Sequence, residues 1–156
     1  MESKNIKYKN VELINLKNGI SEEQIKFVFE CFQDYNARKY FVNNMQVKNI
    51  KNFIKEMKIK LMYKYNDFVL IKSMTTNGYV GFIYTYKYKA NDGKIHITTY
   101  IKPDKRNSMY GVQGCLAFYN YLFKKYSIRK VYCSVVEYNK TSVNILESLE
   151  FKLEGN

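Results

Sequence analysis

The chain has 156 residues, 46% hydrophobic and 26% charged, the length and balance of one globular domain. That apolar content excludes intrinsic disorder, 7 Gly and 1 Pro exclude collagen-like or low-complexity structure, and no stretch approaches the ~18 uninterrupted apolar residues of a membrane span. The formal net charge is +12, but it is carried by evenly spread Lys in a chain rich in Lys, Asn, Ile, Tyr and Phe, the residues of AT-rich codons.

Residues 1–10 are polar and read as a frayed end or an edge strand. Val11 to Lys17 reads as a short strand, ended by the turn dipeptide Asn18-Gly19. Ser21-Glu22-Glu23-Gln24 predicts a capping box, with Ile20 and Ile25 placed for a hydrophobic staple. Ile25, Val28, Phe29 and Phe32 then form one apolar helical face. A second helix is expected from about Gln46 to Leu61, with Val47, Ile50, Ile54, Met57 and Leu61 on one side.

From residue 67 the period changes to that of strands. Asp67 to Met74 is one strand and, beyond Gly78, Tyr79 to Lys89 is the next. Asn91-Asp92-Gly93 is a hairpin turn, and Lys94 to Lys102 returns until Pro103 stops it. A helix from about Ser108 to Tyr126 is expected to bury Val112, Leu116, Tyr119 and Phe123. Lys130 to Tyr138 is a strand, Thr141 to Leu149 a short helix, and Phe151-Lys152-Leu153 the start of a last strand. The crossover from 94 to 138 makes its two strands parallel. The expected fold class is α/β (α+β): one domain over 1–156, a mixed and mostly antiparallel twisted sheet with helices on both faces.

The 16 Tyr and 10 Phe beside the positive charge invite a nucleic-acid interface. Phosphate readers favour Arg for its bidentate fork, and here only Arg38, Arg106 and Arg129 exist, so nucleic acid is not the expected partner. Cys31, Cys115 and Cys133 show neither zinc-ligand spacing nor a disulfide framework and read as small buried hydrophobes; no metal is expected. The N-terminus lacks the apolar core of a signal peptide, so a cytoplasmic location is expected.

The informative segment is Ile101-Lys102-Pro103-Asp104-Lys105-Arg106-Asn107-Ser108-Met109-Tyr110-Gly111, a strand running through a loop into a helix. Such a helix start offers unpaired amides and the positive end of the dipole to a phosphate.

These residues resemble the GNAT (GCN5-related N-acetyltransferase) family. Its acetyl-coenzyme A loop reads Arg/Gln-x-x-Gly-x-Gly/Ala, and this chain has Arg106-x-x-Met109-x-Gly111. Asn139-Lys140-Thr141-Ser142 opens the next helix, and Leu146 to Gly155 is similar to the family's "Leu-Glu-x-Leu-Gly-Phe-x-x-Glu-Gly" ending, with Glu150 where a glycine is usual. Tyr79-Val80-Gly81-Phe82-Ile83 resembles the third strand, and Tyr110-Gly111-Val112-Gln113-Gly114 with the asparagine-serine helix start resembles the Rim-type branch.

The resemblance implies a GNAT-like fold whose parallel pair splays, and an N-acetyltransferase that passes acetyl from acetyl-CoA directly to a primary amine, on a small molecule or a protein N-terminus. It implies that the pyrophosphate rests on the loop from Arg106 through Asn107, Ser108, Met109, Tyr110 and Gly111 to Val112. It also implies that the pantetheine pairs with the edge near Tyr100 and Ile101. The family's usual thiolate-protonating tyrosine, seven residues after the asparagine, is Leu146 here, which leaves Ser142 as the substitute. Asn139 bonds the pantetheine or caps its helix. His96, the one histidine, is the candidate base, with Glu137 and Tyr138 behind it. Tyr35, Tyr40 and Phe41 are candidates for the acceptor wall. Family domains end with two further antiparallel strands, so the final strand is expected to be missing; the uncovered edge invites a homodimer. A GNAT-like CoA-binding protein without turnover, and a basic nucleic-acid-binding domain, are the alternatives.

Overall fold

The computed structural model describes residues 5–39 and 49–155. Predicted features at Tyr40, Phe41, Gln46 and Val47 lie outside the described residues. Among those described, six strands form one sheet in chain order: β1 (Ile6–Tyr8), β2 (Val11–Asn15), β3 (Phe68–Ser73), β4 (Tyr79–Lys89), β5 (Lys94–Ile101) and β6 (Lys130–Cys133). Neighbours run antiparallel except β5 and β6, which are parallel across the predicted crossover. The helices are α1 (Glu22–Gln33), α2 (Tyr35–Arg38), α3 (Ile50–Met62), α4 (Tyr110–Lys125) and α5 (Lys140–Ser148). None is long and apolar enough to cross a membrane among the described residues.

Helices cover both sheet faces, so the central strands are apolar at successive positions instead of alternating. On β3, Phe68 and Leu70 pack with Val28, Phe32, Phe53 and Met57 of α1 and α3, while Val69 and Ile71 pack with Phe118 and Leu122 of α4. The predicted capping box of α1 is present in both directions: Gln24 N donates to Ser21 Oγ at 3.2 Å, and Ser21 N donates to Gln24 Oε1 at 2.9 Å. At the other end of the α4 interface, the buried Asp67 carboxylate accepts from Asn15 Nδ2 and Lys125 Nζ, both at 3.2 Å, and from the Tyr126 hydroxyl. Such a carboxylate is tolerated because its lone pairs are filled and a cation is beside it.

Four expectations are corrected. Residues 16–18 form a 3-10 turn, which shortens the strand read as Val11 to Lys17. The buried face of α4 is Gly114, Cys115, Ala117, Phe118 and Leu122, whereas Leu116 is 41% and Phe123 48% exposed. This helix approaches the sheet so closely at its N-terminal half that a Cβ on Gly114 would lie 2.9 Å from Ile71 Cδ1, so small residues face the sheet there and Phe118 and Leu122 fill the interface further along. The strand read as Lys130 to Tyr138 ends at Cys133. Phe151 to Leu153 forms no strand; Phe151 instead meets Tyr119 of α4 edge-on, with centroids 5.6 Å apart.

Candidate active site

The site begins where the parallel pair comes apart. β5 and β6 are in register from Lys94–Lys130 to Ile97–Cys133, and there β6 stops. β5 runs on through Thr98, Thr99, Tyr100 and Ile101, held by β4 alone. Lys102 N donates to Val80 O at 2.9 Å, so strand alternation turns the peptide groups of Thr99 and Ile101 away from β4, toward the open side. That edge is a fork, and along its β5 arm the Ile101 carbonyl is taken by Arg106 Nε while the Ile101 amide and the Thr99 peptide groups face the opening. Of the two residues predicted to line it, Ile101 directs its peptide into the opening, and Tyr100 directs its peptide to β4 and its ring onto Phe82, centroids 5.2 Å apart. Gly81 lets the two strands close at this point: a Cβ there would meet Tyr100 O at 2.1 Å.

The loop beyond Ile101 turns tightly. Pro103–Lys105 is a 3-10 turn, the Ser108 hydroxyl donates to Lys105 O, and Arg106 Nε donates to Ile101 O at 3.1 Å. Asn107 (φ 66) and Met109 (φ 64) are left-handed, so the position where the family has its first glycine does need a positive φ, and methionine adopts it. Met109 is the N-cap of α4 and supplies no side-chain cap; the amides of Asn107 to Val112 make no hydrogen bond among the described residues. A long helix with a run of bare amides, and Lys105 and Arg106 beside them, suits a phosphate. The helix start is pinned to the sheet: the Tyr110 hydroxyl lies 3.1 Å from buried Ser73 Oγ, and a Cβ on Gly111 would meet Ile101 Cγ1 at 3.3 Å.

The catalytic candidates lie on two sides of the fork. Asn139 caps α5, its Oδ1 accepting from Ser142 N at 3.3 Å, so the capping alternative accounts for its oxygen. Ser142 is half-buried in the first turn of α5, nine residues along the chain from the end of β6 at Cys133. His96 pairs with Tyr132 in the closed part of the fork, its ring between Tyr86 (5.4 Å) and Tyr132 (5.3 Å). Burial first, then Lys87 and Lys89, lowers its pKa, and its Nδ1 is buried without a partner among the described residues. Tyr35 is 83% exposed.

Two contacts were not anticipated. The Tyr100 hydroxyl donates to Asp34 Oδ2 at 3.1 Å, and the Tyr138 hydroxyl donates to Lys39 O at 2.8 Å. Asp34 also caps α2, its Oδ1 accepting from Asn36 N and Ala37 N. The sequence signal was an Asp directly after the apolar face of α1, a helix-start residue at a helix end.

Residues 18–152 match the family model described as the acetyltransferase (GNAT) domain. By sequence, no curated protein matches. By structure, the chain is similar to RimL, a ribosomal L7/L12 alpha-N-protein acetyltransferase in complex with coenzyme A, with TM-score 0.82, 14% identity, and coverage of 97% of this chain and 86% of that one. It is also similar to a GNAT-family acetyltransferase from Bacillus anthracis (0.77, 18%, covering 97% and 86%). A third is the spermidine N-acetyltransferase of Vibrio cholerae in complex with CoA and spermine (0.80, 14%, covering 94% and 83%). At these identities the structural likeness speaks for the fold.

Proposed function

The chain belongs to the GNAT acetyltransferase family and is an acetyl-CoA-dependent N-acetyltransferase; from that premise we propose how its residues divide the work. The observation that carries the proposal is the alignment of the open fork with the bare amides at the start of α4. Asn107 to Val112, with Arg106 beside them, hold the pyrophosphate. The Thr99 peptide groups and the Ile101 amide pair with the pantetheine as a further strand would, the Ile101 carbonyl being held by Arg106, and a free amide there polarises the thioester carbonyl. Bound acetyl-CoA supplies an activated acyl group: the ammonium form of the acceptor gives up one proton before attack, the C–N bond forms as the C–S bond breaks, the nitrogen loses a second proton as the amide forms, and the departing thiolate gains one, so one proton is released overall.

Ser142 is proposed as the donor to that thiolate, since it stands half-buried in the first turn of the helix that follows β6 and Leu146 cannot serve. His96 lies in the paired part of the fork between two rings, so its proposed share in removing the acceptor's proton runs through water. Its lowered pKa keeps it neutral, as an acceptor of protons must be. The free cysteines Cys31, Cys115 and Cys133 fit the proposed cytoplasmic location.

The test is amine-dependent release of thiol from acetyl-CoA across a panel of primary amines. Turnover that falls ten-fold or more in Ser142→Ala supports the assignment. A second reading, cofactor binding without transfer, is favoured by Leu146 at the usual acid position; acetyl-CoA binding with no thiol release from any amine would establish it.

A further inference from the structure

The residues that cross the fork carry an inference about the acceptor; it rests on the transferase reading above. α2 (Tyr35–Arg38) lies between its caps Asp34 and Lys39. Its first end is held from β5, by the Tyr100 hydroxyl on Asp34, and its last from the chain beyond β6, by the Tyr138 hydroxyl on the Lys39 carbonyl. One phenol stands on β5 and the other on the chain that continues from β6, so α2 is strapped across the mouth of the fork on the α1 side of the sheet.

Asp34 is the acidic group this strap sets over the opening. Its carboxylate receives three neutral donors, the amides of Asn36 and Ala37 and the Tyr100 hydroxyl. No Lys or Arg pairs with it among the described residues, in a chain with 26 such residues against 14 acidic ones. Arg38, within the same helix, turns away: its Nε donates to Phe32 O at 3.0 Å and its Nη2 to Gln33 Oε1 at 2.9 Å. Neutral donors fix a carboxylate in place without cancelling its charge, and a fixed anion beside the acyl position attracts an incoming ammonium.

The geometry points to Asp34 as the residue that receives the acceptor's ammonium group, with Tyr100 as its positioning residue. The acceptor class follows. It is a primary amine with no carboxylate next to the amine, that is, the α-amine of a peptide chain or an alkylamine, and not a free amino acid, whose carboxylate Asp34 repels.

The experiment compares serinamide, serine, a serine-initiated tripeptide amide and spermidine as acceptors, with acetyl-CoA affinity measured alongside. For the wild type, serinamide is expected to exceed serine at least tenfold in kcat/KM; the tripeptide and spermidine separate the two sources of amine. Asp34→Asn keeps an oxygen to cap α2 and is expected to raise the serinamide KM tenfold or more, with kcat and acetyl-CoA affinity within threefold. Tyr100→Phe keeps the ring stack and shifts KM less. Asp92→Asn, on the hairpin tip, shifts nothing. Serine used as well as serinamide, an unchanged KM in Asp34→Asn, or no turnover of any cationic amine by wild type that binds acetyl-CoA overturns the inference. The comparison of serine with serinamide needs no variant to fold. Failure to bind acetyl-CoA would instead overturn the transferase reading.

Discussion

Arg106 turns back onto the strand it follows, its Nε 3.1 Å from the carbonyl oxygen of Ile101. One side chain thus closes the loop that leads to α4 and holds a cation at the open edge of β5. Arg106→Ala should weaken acetyl-CoA binding by roughly 10- to 100-fold, since a hydrogen bond to a charged group is worth about 1.5–3 kcal/mol. Arg106→Lys keeps the charge but loses the planar fork, and should fall between. Titrations at low and high salt check this: the difference between wild type and Arg106→Ala should shrink as salt screens the exposed charge.

Met109 and Glu150 hold left-handed backbones, φ 64 and 63, at positions where the family pattern has glycine. The left-handed region costs an ordinary L-residue about 1–2 kcal/mol, offset in part by the larger entropy glycine loses on folding. Met109→Gly and Glu150→Gly are each expected to raise stability by up to about 1 kcal/mol, or roughly 2–4 °C in Tm for a domain of this size. Glu150 is the cleaner case, because it lies just past the end of α5, where glycine is commonly found. Thermal unfolding of the single and double variants measures it.

Stability should fall in alkali. Burial pushes the Cys31 and Cys133 thiols and the Tyr84 phenol up to about 12, and moves Tyr119 and Tyr126 upward as well. The fold favours the neutral forms, so the unfolded chain releases these protons first. The advantage is full below the unfolded pKa values, about 8.5 for Cys and 10 for Tyr, and is lost as pH rises through the folded ones. Denaturant midpoints should decline from about pH 9 upward, and Cys31→Ala with Cys133→Ala should reduce the part that begins first, leaving the share of Cys115, whose thiol is also pushed up by burial. His96 acts on the other side: its lowered pKa means stability falls as pH drops below about 6.5. His96→Gln should flatten that limb.

Local signals in the sequence were legible where the residues themselves make the structure. Ser21 and Gln24 form both bonds of the capping box because each needs only the other. Asn91-Asp92-Gly93 makes its turn because Gly93 takes φ 61 at no steric cost. The order of strands and helices places the fork between β5 and β6 and the helix start beside it. What failed depended on distance between elements. Size and hydrophobicity favoured Leu116 and Phe123 for the inner face of α4, whereas close approach to Ile71 gives the start of that face to Gly114, Cys115 and Ala117, and Phe118 and Leu122 complete it. Periodicity extended β6 to Tyr138, but the Tyr138 hydroxyl is drawn to the Lys39 carbonyl instead. The Tyr100–Asp34 bond joins residues 66 apart, and no local pattern announces it.

The most direct test of the central claim is the thermal unfolding of the wild-type chain with increasing acetyl-CoA. A ligand held by the fork and the start of α4 stabilises the native state by about 2.7 kcal/mol at one hundred times its Kd, which for this length is a rise of roughly 5–10 °C. The account predicts that rise, and a smaller one at the same concentration in Arg106→Ala. An unfolding temperature that does not move at millimolar acetyl-CoA would contradict it.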